Sequence, residues 1–115
     1  MTVGELVKKY NLSILSEGDG LNQEITGGYV GDLLSFVMAH AKEKMVWITI
    51  QGHINTIAVA SLVGIGAIIL AEGSEPTADM LEKAQENGIP VLASSLSSFE
   101  IVYRFGMDQA LGGIG

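Results

Sequence analysis

Four short segments of this chain carry groups able to do chemistry. Gln51, His53 and Asn55 alternate directly after the apolar run 45–50. An imidazole between two amides serves as a general base or as a hydrogen-bond donor to a small ligand. The same His53, or Asn55, set just ahead of a helix would instead cap its free N–H groups, and capping is the reading we favour. Glu72 ends the run 67–70 beside Gly73. It is an acid able to hydrogen-bond a ribose hydroxyl, or merely the point where the chain reaches water. Ser94, Ser95, Ser97 and Ser98 follow the run 89–93. None lies in a Gly-x-Ser-x-Gly elbow, so turn and cap duty suits them better than nucleophilic attack. Thr26-Gly27-Gly28 offers either backbone N–H groups to cradle a phosphate or glycines for a tight positive-φ turn, the turn being favoured. Neither Gly-Lys-Ser/Thr nor Gly-x-Gly-x-x-Gly spacing occurs, which argues against phosphoryl transfer of the P-loop kind.

Composition removes further chemistry. The chain has no cysteine, which excludes disulfides, thiol catalysis and Cys-ligated zinc or iron–sulfur sites. Its two histidines, His40 and His53, are far apart and form no metal motif, so no metal or cofactor is expected. Six Lys+Arg against 13 Asp+Glu give a net charge of −7, with the basic residues scattered. A nucleic-acid footprint needs a basic stripe, and none is present. Glu75, Asp79, Glu82 and Glu86 read as a solvated helix face. No nucleophile–base–orienter set can be assembled from spacing, so no catalytic residue is assigned.

The elements that must position these groups follow from periodicity. Thr2 with Glu5 fits a capping box, and Val3, Leu6, Val7 and Tyr10 share one helical face. A strand over 12–15 and a polar loop over 16–20 follow, then a loop with strand character over 24–30. Asp32 is placed to cap a helix over 32–42 whose buried stripe is Leu33, Leu34, Val37, Met38 and Ala41. Strand 45–50 leads to a helix carrying Ala58, Val59, Leu62 and Val63. Strand 67–70 leads to one capped by Ser74 or Thr77, with Met80, Leu81 and Ala84 inward, an Asp79–Lys83 pair and a stop at Gly88. Strand 89–93 leads to a second capping box, Ser97 with Glu100, and a helix burying Ile101, Val102 and Phe105. Residues 45–71 lack charge over a length that would span a bilayer, but polar Gln51, His53 and Asn55 and the glycines 64 and 66 divide them into strand, helix and strand. The expectation is a single α/β domain of three-layer type, a small parallel sheet flanked by helices, with Trp47, Ile48, Ile50, Ile68, Ile69, Val91 and Leu92 mostly buried. Ligands of such sheets sit beyond the carboxyl ends of the strands.

Glu24-Ile-Thr-Gly-Gly28, followed by Tyr29-Val-Gly-Asp32 and a helix, resembles the signature of the DRTGG domain family. Trp47-Ile-Thr-Ile-Gln51 with His53, Asn55 and Val59-Ala60, then Ile69-Leu-Ala-Glu72, then Ala84 to Gly88-Ile-Pro90, are similar to its later stretches. The likeness spans about residues 1–108, leaving 109–115 as an expected flexible tail. Glu24 and Ile25 stand where the family motif has Asp and Arg, which removes an anion contact from the motif. The resemblance implies a regulatory or assembly module, related in fold to the N-terminal part of HPr kinase and associated with subunit interfaces.

The expected function is therefore a non-catalytic module that homodimerises and serves a larger metabolic or signalling assembly through a protein partner. The alternative is a sensor of a nucleotide or acyl-phosphate-like small molecule, bound at an edge formed by Thr26, Gly27, Gly28, Gln51, His53, Asn55, Glu72, Ser94 and Ser95. A third reading is a small hydrolase or transferase using His53 and Glu72. A positive mean hydropathy of +0.39 with 17% charged residues leaves little polar cover, which supports a dimer. Tyr29, Phe36 and His40 are its candidate contacts. With no apolar leader visible at the N-terminus, a cytoplasmic protein that does not enter the membrane is expected.

Overall fold

The computed structural model describes residues 1–108 and 110–111. The elements run α1 (Val3–Tyr10), β1 (Ser13–Ser16), β2 (Gly27–Val30), α2 (Leu34–His40), β3 (Met45–Thr49), α3 (Ile54–Val63), β4 (Ala67–Leu70), α4 (Ala78–Glu86), β5 (Val91–Ala93) and α5 (Ser98–Met107). They build one sheet in the order β1-β5-β4-β3-β2. β2, β3, β4 and β5 are parallel neighbours, while β1 closes the far edge antiparallel to β5.

Alternation along the strands sorts the apolar side chains into two cores. Val46, Ile48, Ala67, Ile69 and Leu92 meet Val3 and Leu6 of α1 and Ile101 and Phe105 of α5. Trp47, Ile68, Leu70 and Val91 meet Val37 of α2, Ile57 and Ala60 of α3, and Met80 and Ala84 of α4. The central strands β3 and β4 are covered on both faces, which is why they read as uninterrupted apolar runs. The result is the expected three-layer α/β architecture, with one antiparallel edge strand added. Trp47 is fully buried, and its indole N–H donates to the Gly31 carbonyl at 2.8 Å. No helix among the described residues is long and apolar enough to cross a membrane.

Several expectations need correction. Ile50 lies past the end of β3 and is 46% exposed, not buried. The stripe of α2 is not inward as a whole: Leu33 and Met38 are exposed, only Val37 is buried, and the helix has just 7 residues. So short an element inserts one side chain between layers. Along α3 the inward residues are Thr56, Ile57, Val59 and Ala60, while Ala58 and Leu62 face water. That helix is apolar around most of its circumference, so periodicity could not choose its buried face. Thr77, not Ser74, caps α4. Lys83 pairs with Glu86 at 3.7 Å and not with Asp79, whose carboxylate accepts from the Thr77 hydroxyl. Ser97 accepts from Glu100 N–H, but the Glu100 carboxylate turns to Arg104 at 2.8 Å, so the second capping box is half formed. Val102 is only half-buried. Of the tail expected over 109–115, Ala110 is buried and Leu111 half-buried; 109 and 112–115 lie outside the described residues.

Candidate functional site

The carboxyl ends of the parallel strands are tied together by polar side chains. Asp32, just beyond β2, accepts through Oδ1 from the Thr49 hydroxyl at 2.8 Å and from Ile50 N–H at 3.0 Å. Gln51 donates its amide to the Asp32 carbonyl at 3.0 Å, and its backbone N–H reaches the Thr49 hydroxyl at 3.2 Å. Thr56, on the first turn of α3, donates to the Gln51 carbonyl at 3.0 Å. Ser74 donates to the Ile50 carbonyl at 2.7 Å, and Thr77 N–H reaches the Gly52 carbonyl at 2.9 Å. Gly52 is buried so closely that a Cβ there would lie 2.5 Å from the Glu75 carbonyl oxygen. This clasp joins three successive crossovers. It also corrects the expected role of Asp32: Leu33 is the N-cap of α2 and makes no side-chain cap bond. Asp32 and Thr49 were not singled out as partners in the sequence. The available signal was a hydroxyl at the end of an otherwise apolar strand, with an acid after the preceding strand.

The other strand-end residues behave differently. His53 occupies the N-cap of α3 with extended backbone, but its side chain makes no cap bond, and both it and Asn55 are exposed. The favoured reading of a side-chain cap is therefore overturned, because Thr56 rather than His53 joins the turn to the helix. Glu72 adopts a left-handed backbone, φ 59°, uncommon for a residue with a side chain. Its N–H donates to the Leu96 carbonyl at 2.8 Å and that of Gly73 to Ser94 at 3.1 Å, so the loops after β4 and β5 are held together. The Glu72 carboxylate is left exposed. Beside this turn lies an open cleft of about 440 Å³, with Gly73, Ser74, Ser94, Ser95 and Ser13 on its walls and Leu15, Leu81 and Ala93 in its apolar part.

Thr26, Gly27 and Gly28 do not belong to this edge. Gly27 pairs with Met45, the first residue of β3, so the three sit at the amino end of the parallel strands, opposite Gln51. Both glycines lie in strand β2 without positive φ, which corrects the tight-turn reading. They form one wall of a cavity of about 380 Å³ between β2, β3 and α5, lined also by Met45, Val46, Ile48, Val102, Phe105 and Leu111. A Cβ on Gly28 would stand 3.3 Å from Leu111 Cδ1 and 3.4 Å from Val46 Cγ1, so a side chain there would crowd the cavity wall. The segment does not open a helix, since α2 starts only at Leu34. The phosphate cradle at a helix start is thereby set aside.

Of the candidate contact residues, Tyr29 is half-buried against the α2–α3–α4 core, whereas Phe36 is 57% exposed and His40 is exposed beside it. The two rings are 5.5 Å apart, and His40 Nδ1 lies 2.9 Å from the Phe36 carbonyl. Two titrating groups are displaced, both away from the strand ends. Partial burial, reinforced by a 2.9 Å hydrogen bond to Asp108, pushes the Tyr10 hydroxyl up to about 12. The Thr2 backbone N–H and hydroxyl hold the Glu5 carboxyl below its ordinary value. Among the described residues no cluster of three His, Asp or Glu side chains is grouped to hold a metal ion.

The family model described as DRTGG domain matches residues 5–106. No curated protein matches the chain. Among solved structures it is similar to the CBS and DRTGG domains of the regulatory region of Clostridium perfringens pyrophosphatase, complexed with the activator diadenosine tetraphosphate. The TM-score is 0.68 at 13% identity, covering 89% of this chain and 44% of that one. The chain thus spans less than half of that structure, and the likeness is one of fold.

Proposed function

The chain belongs to the DRTGG domain family, and from that premise we propose that it is a non-catalytic regulatory module that self-associates within a larger metabolic or signalling system. One observation carries this reading. The side chains of Asp32, Thr49, Gln51, Thr56 and Ser74 are engaged in the clasp, while large apolar side chains such as Phe36, Leu62 and Phe99 stand exposed on the helices. Exposed apolar area of this kind marks a surface that meets another molecule. His53 and Glu72 rise from separate loops, and neither side chain hydrogen-bonds among the described residues, so no base and orienter are joined. Sedimentation equilibrium at micromolar protein tests the reading. A concentration-dependent mass rising towards about 24 kDa, twice the 12.1 kDa chain, supports it; a fixed 12.1 kDa refutes it.

A second reading has its own support. The cleft beside the Glu72 turn offers the hydroxyls of Ser13 and Ser95, the exposed Glu75 carboxylate and an apolar part, which suit the ribose and base of a nucleoside. Glu72 and Glu75 beside it, in a chain of net charge −7, would repel a polyphosphate. The regulatory region of the structural neighbour was solved with a dinucleotide activator, and a nucleotide-sensing role for this chain is the corresponding proposal. Adenosine and diadenosine tetraphosphate compared by thermal shift distinguish the outcomes. A ligand at about 100 times its Kd adds ~2.7 kcal/mol to the folded state and raises the melting temperature. No shift with either compound at millimolar concentration removes this reading.

A further inference from the structure

Helix α5 has two apolar faces, and the described residues cover one of them. Ile101 and Phe105 point into the sheet and are 3% and 4% exposed. Phe99, Tyr103 and Met107 recur every fourth residue and are 81%, 57% and 67% exposed. Val102 and Gly106 lie between them, so the five residues have the i, i+3, i+4, i+7, i+8 spacing of a face that packs on another element. A Cβ on Gly106 would meet nothing within 4 Å, leaving a dimple in that face.

We propose that this face receives a second copy of the chain, with α5 antiparallel to its mate across a two-fold axis at Tyr103. The proposal rests on the self-association argued above and adds the surface that performs it. A two-fold contact requires one patch to complement itself. The stripe does so, because Phe99 and Met107 are equally spaced about Tyr103. The crossing brings Phe99, the most exposed of these side chains, to the partner's Met107, and a thioether against an aromatic ring is a favourable contact. The open dimple at Gly106, beside Met107, accepts the incoming ring. Knob and recess thus lie at opposite ends of one stripe, about 10 Å apart at ~1.5 Å per residue.

Charge supports this pairing, and area sets its strength. Glu100 and Arg104 pair at 2.8 Å on one flank of the stripe. Like flanks meet in an antiparallel helix pair, so each Glu100 also faces the partner's Arg104. Taking roughly 200 Å² for a large side chain, the three exposed residues present on the order of 400 Å² per copy, or about 800 Å² for the pair. With Val102 and the flanking charges at its rim, a contact of this size falls in the range of weak, transient interfaces, below ~1,200 Å².

The absence of cysteine makes the test direct. Single variants Tyr103→Cys and Phe36→Cys are oxidised at micromolar protein, and wild type and Tyr103→Glu are compared by sedimentation equilibrium with melting curves alongside. The expected result is a disulfide-linked dimer that forms faster through Tyr103→Cys than through Phe36→Cys. Tyr103→Glu should weaken association by roughly thirtyfold or more, as loss of a central contact does, while still melting cooperatively. A wild-type dimer that Tyr103→Glu leaves intact, or one that Phe36→Cys links faster, overturns the α5 surface and leaves self-association standing. A wild type that stays at 12.1 kDa overturns both. Should Tyr103→Glu fail to melt cooperatively, the cysteine pair decides alone.

Discussion

Replacing Asp32 tests the clasp at the strand ends. The Thr49 side chain is fully buried, and its hydroxyl donates to Asp32 Oδ1 at 2.8 Å. The same oxygen receives Ile50 N–H at 3.0 Å, but Ile50 is 46% exposed, so water can replace that bond. Asp32→Ala therefore strands one buried hydroxyl and removes one hydrogen bond to a charged acceptor. A buried donor left unpaired costs about 1–3 kcal/mol and a charged hydrogen bond is worth ~1.5–3. The two overlap at Thr49, which sets the expected loss at about 2–3 kcal/mol. For a chain of this size that lowers the melting temperature by roughly 8–12 °C, at ~4 °C per kcal/mol. Asp32→Asn keeps an acceptor oxygen but loses charge assistance, so its cost is expected near 1 kcal/mol. Asp32→Ser separates the clasp from a helix cap. Serine caps as well as aspartate, yet it is too short to span the same gap to Thr49 and should cost as much as alanine. Urea unfolding followed by circular dichroism measures all three. Asp32→Ser and Asp32→Ala both at wild-type stability would refute the argument.

Other substitutions probe the same scaffold. Gly52→Ala places a Cβ 2.5 Å from the Glu75 carbonyl oxygen, and an overpacked site of this kind loses ~1–3 kcal/mol, seen as a lower urea midpoint. Ser97→Ala removes the acceptor of Glu100 N–H and should cost about 1 kcal/mol, as lost N-caps do; an unchanged midpoint would show that the half-formed box contributes nothing. Burial, with the Asp108 hydrogen bond, pushes Tyr10 from an ordinary 10.0 up to about 12, so its protonated form is favoured by folding. Its contribution is complete below pH 10.0 and is lost as the pH rises towards about 12. Wild type should therefore lose stability in that window relative to Tyr10→Phe, and parallel alkaline melting curves would contradict the upward shift that burial and the Asp108 contact produce. Glu5 has the opposite sign: its lowered carboxyl stabilises the fold above the ordinary value of 4.5 and ceases to do so as acid protonates it, an effect Glu5→Gln should abolish.

Elements whose pattern is local are legible in the residues alone. Helix α4 shows this best: a capping Thr77, inward Met80 and Ala84, and a left-handed Gly88 are all signals within one segment. The charge-free runs at β3 and β4 likewise announce strands covered on both faces, and the motif residues announce the family. What needed tertiary structure was every statement about which segments meet. The buried side of α3 is invisible in a helix apolar almost all round, and α2 is too short for periodicity to be averaged. The Thr26–Gly28 segment and the Gln51–Asn55 segment both carry site-like residues, yet parallel register sends them to opposite ends of the sheet. Asp32 could cap the next helix by sequence distance alone; it instead reaches Thr49 because β2 and β3 lie side by side. Periodicity records how a segment divides itself between water and core, whereas strand order and register are decided by the packing of segments distant in the chain.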